Sequence, residues 1–154
     1  MNDLRTVQGM YFEEFEVGQS AVSVGRTITE ADVVRFAGLT GDFNSIHTDA
    51  DYAAGHSFGQ RVAHGLLVQS IAVGLATRLG VIEGTVIAFR DMTCKFSLPV
   101  YFNDTIRLKI EIKELKALPR LGGGSVTMKY SILNQNDKAV QRGEWNMLVM
   151  SSPA

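Results

Sequence analysis

The sequence predicts an α+β domain in which an antiparallel sheet wraps around one long helix. Residues 64–79 are apolar nearly all round, which is typical of a buried central helix rather than a surface helix. From Gly84 onward the pattern changes to four consecutive strands, and this succession is typical of an α+β domain. The chain has 154 residues, of which 45% are hydrophobic, so we expect a single domain over residues 1–154.

Local signals predict each element in turn. β-Branched and alternating residues indicate strands, while Thr29, with acidic residues after it, is suited to cap a helix. Gly122-Gly-Gly124 is expected to be a hairpin turn rather than a phosphate loop, because no Lys-Ser/Thr follows it. The arrangement is that of the hot-dog fold, in which the sheet surrounds the long helix. The predicted elements are a strand at 22–28, a helix after Thr29 that stops near Gly38 or Gly41, a loop at 42–47, a short helix at 48–55, a loop at 56–62, the long helix at 64–79, and strands at 85–97, 105–118, 125–134 and 139–149.

Composition excludes several classes of function. The net charge is −1, from 15 basic and 16 acidic residues, which does not favour binding to nucleic acid or to a membrane surface. The apolar stretch at 66–76 is shorter than the roughly 20 residues that span a bilayer. Residues 1–16 carry acids and no apolar core, so no signal peptide is expected. The single cysteine, Cys94, is expected to be a small core residue, and the chain is expected to be cytoplasmic.

The most informative motif is G-D-F-N-S-I-H at residues 41–47. It places a carboxylate, Asp42, and an imidazole, His47, five residues apart in a segment that favours turns over regular helix. An irregular loop can direct both side chains to one point, and a carboxylate and an imidazole that share a water form an acid–base pair. Taken alone, G-D-x-N is also typical of an ordinary turn.

Three motifs together resemble the MaoC-like dehydratases, which include the (R)-specific enoyl-CoA hydratases. They are G-D-x-N-x-I-H, A-H-G-L-L from Ala63, and F-S-L-P-V-Y-F-N-D-T-I from Phe96, and the resemblance covers roughly residues 18–150. One position departs from the pattern, because Ser45 stands where the family usually has proline. Since proline restricts both its own φ and the preceding residue, we expect Ser45 to affect loop rigidity and substrate fit.

The resemblance implies syn addition of water across the double bond of a 2-enoyl-CoA to give an (R)-3-hydroxyacyl-CoA, or the reverse reaction. Asp42 is expected to be the base, made stronger by burial, and His47 its partner in proton delivery. If Gly65 opens the long helix, its backbone N–H is free to bind the developing oxyanion, because the first turn of a helix lacks intrahelical acceptors. Coenzyme A is part of the substrate, and no cofactor is expected.

Further residues are assigned supporting roles. Asn44 is expected to orient the loop, and His64 to cap the long helix or to pack near the site. Contacts with substrate are expected from Ser45, Leu66 and Phe96. His56 is expected to be a plain loop residue. No metal site is expected, because the spacings between His47, His56 and His64 match no compact ligand pattern.

Two alternative functions remain open at this stage. A hot-dog thioesterase would use a carboxylate and a helix N-terminus to hydrolyse the thioester, and a non-catalytic subunit would bind acyl-CoA without reacting. The motif with both Asp42 and His47 favours hydration over either alternative. The resemblance also implies a homodimer, or a higher homo-oligomer, in which two sheets join edge to edge.

Overall fold

The computed structural model describes residues 8–153, in which one antiparallel sheet surrounds a long helix. The strands follow the order β1-β4-β5-β6-β3, and β2 also pairs with β4. This confirms the predicted hot-dog arrangement of an α+β fold. The strands are β1 Ser20–Val22, β2 Arg26–Thr27, β3 Val86–Phe96, β4 Thr105–Leu118, β5 Gly123–Leu133 and β6 Ala139–Met150; the helices are α1 Glu30–Thr40, α2 Ser45–Thr48, α3 Ala50–Gly55 and α4 Gly65–Arg78.

Helix α4 is the central helix that the apolar pattern predicts. Val68, Ala72 and Ala76 are completely buried on it, because they face the concave side of the sheet. The same core contains Met128 of β5 and Trp145 of β6, which are also fully buried. Burial of this apolar surface is the main source of stability for a helix that contains two glycines.

The predicted strand at 22–28 is divided into β1 and β2, and both pair with β4. Ser23 lies between them, and its hydroxyl accepts a hydrogen bond from the Leu108 N–H at 2.9 Å. A side-chain oxygen thus replaces a backbone carbonyl in the ladder at this point. Strand propensity alone does not predict this substitution, since it concerns a single hydrogen-bond acceptor.

The predicted loop at 42–47 is wrong at its C-terminal end, where α2 is a short helix that contains His47. Asn44 begins this helix as its N-cap, with its side-chain oxygen accepting from the Ile46 N–H at 3.3 Å. An Asn can close either a turn or the first turn of a helix, and local sequence does not distinguish the two. Helix α1 begins at the Thr29 cap as predicted, and Gly41 ends it with a φ of 78°.

The glycine hairpin is shorter than the sequence indicates. Gly122 alone has the left-handed conformation of the turn, with a φ of 75°, whereas Gly123 and Gly124 belong to β5 and are buried. A side chain on Gly124 would overlap the ring of Phe12. These two glycines are therefore explained by close packing rather than by flexibility.

Residues 8–153 contain no helix that is both long enough and apolar enough to cross a membrane. The expectation that residues 1–16 contain no signal peptide falls partly on residues 1–7, which lie outside the described residues. Cys94 is half-buried on β3 rather than a core residue, because β3 is at the edge of the sheet.

Candidate active site

Asp42, His47 and His64 come together at one point. Their potential ligand atoms all lie within 4.8 Å of one another. Asp42 lies in the loop after α1, His47 lies in α2, and His64 directly precedes α4. The proximity of a carboxylate and an imidazole that the 41–47 motif predicts is therefore present in the fold.

The protonation of His47 follows from its hydrogen bond. Its Nδ1 lies 2.7 Å from the backbone oxygen of Val62, and because a carbonyl can only accept, Nδ1 carries the hydrogen. In the neutral ring Nε2 therefore has a lone pair. Burial lowers the pKa of His47, and the neighbouring charge of His64 lowers it further, while the Val62 carbonyl and Asp42 act in the opposite direction. The resulting group is a neutral proton acceptor at pH 7.

His64 fixes the geometry behind His47. It is buried, its Nε2 donates to the backbone oxygen of Asp42 at 2.9 Å, and its ring lies 3.8 Å from the His47 ring between centroids. Its side chain makes no hydrogen bond that caps α4, so of the two predicted roles the structure supports packing near the site. Its Nδ1 is buried without a hydrogen-bond partner in residues 8–153.

Asp42 is exposed, in contrast to the expected burial. The carboxylate lies in the loop after α1, and its hydrogen bonding there is local. Its Oδ1 accepts from the Asn44 N–H at 3.2 Å, and the hydroxyl of Thr40 accepts from the Asp42 N–H at the same distance. These turn-type hydrogen bonds hold the loop, and Asn44 takes part in them through its backbone N–H.

Gly65 is the first residue of α4, as the proposed oxyanion role requires. Its N–H has no acceptor within the helix, because the first turn lacks carbonyl partners. A side chain on Gly65 would overlap the ring of Phe96, so only glycine permits this close approach. The positive end of the α4 dipole and the side chain of His47 therefore border the same space.

A cavity of about 430 Å³ lies in front of His47 and Gly65. Its walls are mainly apolar, and they include Leu66 and Phe96, for which the sequence analysis predicts contacts with substrate. Ser45 is half-buried at the start of α2 and is not part of the walls. The other lining residues are Ile46, Phe58, Val62, Ala63, Val68, Ser97, Leu98, Pro99, Val100 and Gln141.

Gln141 is one of two polar residues of the cavity wall that sequence reasoning missed, and the other is Ser97. The Nε2 of Gln141 donates to the backbone oxygen of Gly65 at 2.8 Å. A signal was available, because Gln141 has the same parity along β6 as Trp145 and Met147, whose side chains point into the core. An amide at such an inward position requires a buried hydrogen-bond partner.

His56, the third histidine of the chain, lies away from this cluster. His56 follows α3 and packs between the rings of Tyr52 and Phe58, so it does not join His47 and His64. Within residues 8–153, the group that could hold a metal ion is instead Asp42 with His47 and His64. Ligand atoms within 4.8 Å of one another can hold a shared water as well as a metal ion. Removal of metal with a chelator distinguishes the two.

Comparisons with known proteins agree on one family. A family profile described as "MaoC like domain" matches residues 14–134. A 3-hydroxybutyryl-CoA dehydratase from Methylorubrum extorquens is 39% identical over 107 residues, which are 69% of this chain and 66% of that protein. This chain thus spans just under two thirds of that relative's length.

Two further matches extend the likeness. An (R)-specific enoyl-CoA hydratase from Rhodospirillum rubrum is 39% identical over 106 residues, covering 68% of this chain and 71% of the hydratase. A solved structure from Archaeoglobus, described as a monoamine oxidase regulatory protein, superimposes with a TM-score of 0.86 at 34% identity. That superposition covers 95% of this chain and 97% of the other, so the same fold extends over nearly the whole length of both.

Proposed function

This chain belongs to the MaoC-like family, and from that membership we propose that it adds water syn across the double bond of a 2-enoyl-CoA to give an (R)-3-hydroxyacyl-CoA, or catalyses the reverse reaction. The observation that carries the proposal is the meeting of Asp42 with neutral His47 beside the first residue of α4. The names of two relatives, a 3-hydroxybutyryl-CoA dehydratase and an (R)-specific enoyl-CoA hydratase, support the reaction class.

The proposed reaction begins with one water between Asp42 and His47. His47 Nε2 takes a proton from this water as the oxygen bonds to the β-carbon. The electrons of the double bond move to the thioester oxygen, which becomes an enolate. The N–H of Gly65 at the start of α4 stabilises that negative charge. The imidazolium then returns its proton to the α-carbon, and the carbonyl re-forms.

Syn stereochemistry follows from the use of a single group for both proton transfers. The proton and the hydroxyl reach the substrate from the side on which His47 and Asp42 lie. In this scheme the carboxylate of Asp42 accepts a hydrogen bond from the second O–H of the water. This hydrogen bond orients the water, and that hydrogen stays on the oxygen that becomes the product hydroxyl. The roles differ from those expected from sequence, where Asp42 was the base, because the Val62 hydrogen bond leaves His47 Nε2 as a defined proton acceptor.

The apolar cavity is the proposed site for the acyl chain. Leu66, Phe96 and Val100 border it, and apolar walls suit a hydrocarbon chain. Within this scheme coenzyme A is carried by the substrate, and no cofactor or metal takes part.

We further propose that the active form is a homodimer joined through β3. This edge strand is 11 residues long, and large apolar side chains such as Ile87 and Met92 are exposed along it. Long apolar edge strands tend to pair with another chain, so in native proteins they are usually covered by a further strand, a helix or a loop. The opposite edge is formed by the three residues of β1 and the two of β2, which are too short for comparable pairing.

The proposed activity is tested with crotonyl-CoA, whose conjugated absorbance disappears on hydration. We expect His47→Ala and Asp42→Asn to reduce kcat by at least about 100-fold, since acid–base groups typically contribute that much. His56→Ala is the matched control, because it removes a histidine outside the cluster, and it should keep wild-type activity. Circular dichroism and thermal unfolding of each variant verify that the fold is retained.

Three outcomes would contradict the proposal. Unchanged rates in both site variants would refute the acid–base assignment. Release of free thiol without loss of the double bond would indicate a thioesterase, and binding without any turnover would indicate a non-catalytic acyl-CoA subunit. Loss of activity after dialysis against EDTA, restored by added metal, would assign Asp42, His47 and His64 to a metal ion instead of a water.

A further inference from the structure

One cross-strand pair holds the first residue of α4 from two sides. Phe96 of β3 and Gln141 of β6 are direct partners in the sheet register. The ring of Phe96 occupies the space where a side chain of Gly65 would be, and the amide of Gln141 donates to the Gly65 oxygen at 2.8 Å. The end of the sheet is therefore attached to the start of the central helix at this residue.

The amide of Gln141 has a single consistent orientation. Because the carbonyl of Gly65 can only accept, the group 2.8 Å from it is the NH2 of Gln141. The side-chain oxygen then lies 3.7 Å from the Sγ of Cys94, within reach of its weak S–H donor. Gln141 is buried, with 2% of its surface exposed, so water does not compete with these contacts.

A glycine at the start of a helix needs such a restraint. It has more backbone freedom than any other residue, and helix ends fray. A hydrogen bond to its carbonyl limits rotation about the Cα–C bond and so fixes the first turn against the sheet. Oxyanion donors are effective only when they are already oriented before the charge develops.

We propose that Gln141 is a positioning residue that holds Gly65 so that its N–H points into the cavity. This inference rests on the proposed function, in which that N–H stabilises the enolate. Gln141 acts through the Gly65 backbone and contacts none of the reacting atoms. Loss of its amide should therefore reduce kcat more than it changes KM.

Gln69 provides a matched control in the same part of the core. It is also a buried glutamine, 4% exposed, and its side-chain oxygen lies 3.8 Å from the Sγ of Cys94. Its Nε2, however, has no hydrogen-bond partner in residues 8–153, and its side chain makes no hydrogen bond to Gly65. Gln69→Leu thus removes a buried amide without removing the restraint on α4.

The first experiment compares Gln141→Leu with Gln69→Leu in hydration of crotonyl-CoA. We expect Gln141→Leu to lower kcat about tenfold or more with KM within about twofold, because losing an oxyanion donor outright costs roughly 100-fold or more. Gln69→Leu should stay within about twofold of wild type in both constants. Equal losses in the two variants, or an unchanged kcat in Gln141→Leu, would overturn the inference.

A second variant gives a signature that a general packing defect would not produce. In Gln141→Glu the ionised carboxylate cannot donate to the Gly65 carbonyl, whereas the protonated acid can. The ratio of its kcat to that of wild type should therefore rise as the pH falls. A ratio that does not change with pH would refute the role of the hydrogen bond, and this test does not need Gln141→Leu to fold.

Hydrogen exchange separates failure of this inference from failure of the proposed function. If the wild-type protein does not hydrate crotonyl-CoA, the proposed function fails, but the restraint on Gly65 can still be measured. The Val68 N–H closes the first turn of α4 on the His64 carbonyl at 3.2 Å. Amide exchange at Val68 should be faster in Gln141→Leu or Gln141→Glu than in Gln69→Leu. Equal exchange rates at Val68 would overturn the positioning role.

Discussion

The ring of His47 donates one nitrogen to the Val62 carbonyl and leaves the other available at the cavity. Burial keeps this ring neutral, and His64 packs against it, so the available nitrogen is a proton acceptor. These contacts, rather than the presence of a histidine in the motif, determine what His47 can do.

The pH dependence of the reaction should reflect the lowered pKa of His47. Its ordinary pKa is about 6.5, and in the fold the value is below this. We therefore expect kcat/KM to remain constant from pH 8 to below 6.5 and to fall only at lower pH, where His47 becomes protonated. A steady-state profile in crotonyl-CoA measures this, and an acidic limb centred at or above 6.5 would contradict it.

The contribution of His47 to the free energy of unfolding should also decrease as the pH falls. Because its folded pKa is lower than its unfolded pKa, the unfolded chain binds the extra proton first as the pH falls. The contribution is therefore complete above about pH 6.5 and is lost between that value and the lower folded pKa. In His47→Asn this part of the pH dependence of the free energy of unfolding should be absent, which urea titrations at several pH values can test.

Ser45→Pro should stabilise the protein. Ser45 is the first residue of α2, a position that favours proline, and Asn44 before it has a ψ of 134°, as proline requires. We expect the free energy of unfolding to rise by about 0.4–1 kcal/mol, because proline restricts the unfolded chain. Denaturant unfolding is the measurement.

The neighbouring position is the control for this prediction. The N–H of Ile46 donates to the Asn44 side chain, so Ile46→Pro removes a hydrogen bond and should be destabilising. If Ser45→Pro also lowered the stability, the serine would be required by the loop geometry rather than tolerated in it.

At the level of elements, α4 and the strands around it determine where the oxyanion donor lies. The helix begins at Gly65, and β3 supplies the Phe96 ring that packs against this glycine. The sheet positions the helix start through side chains at the ends of its strands. A change at Gly65 should therefore affect the site more than the fold.

Gly65→Ala tests this separation. Alanine favours helix by up to about 1 kcal/mol over glycine, which offsets the cost of displacing an exposed Phe96 ring. We expect a small change in the free energy of unfolding and at least a tenfold fall in kcat, because the ring moves into the cavity and the methyl group stands beside the N–H. Adding Phe96→Ala removes the overlap, and wild-type kcat in Gly65→Ala itself would contradict the prediction.

The whole molecule has two unequal sheet edges. β3 presents 11 residues, most of which are exposed, whereas β1 and β2 at the other edge have three and two residues. Asp42 is exposed in the single chain, on the open side of the site. A second copy across β3 would shield apolar side chains from water and make the sheet continuous.

Ile87→Lys should prevent this association. A lysine within a joined edge leaves a charge without a partner, so we expect the wild type to sediment at twice the 16.8 kDa chain mass and the variant at the single mass. Val22→Lys on β1 is the matched control, since Val22 is also an exposed apolar residue at an edge. A dimer that persists in Ile87→Lys would show that the copies meet elsewhere.

The sequence alone was sufficient for the elements with long, regular patterns. The apolar run predicted α4, alternation predicted β4 to β6, and the 41–47 motif brought Asp42 and His47 to one site. Each of these depends on spacing along the chain, which is local information. The family likewise followed from short motifs whose residues lie close in sequence.

Only the tertiary structure decided the details on which the chemistry depends. The tautomer of His47 depends on its hydrogen bond to the Val62 carbonyl. The start of α4 is held by the hydrogen bond from Gln141. Asp42 is exposed because no other part of residues 8–153 packs over it. Gln141 is 76 residues from Gly65 along the chain. Such contacts depend on how the chain folds back on itself, because a hydrogen-bond partner or a covering surface is supplied by distant residues that local patterns do not identify.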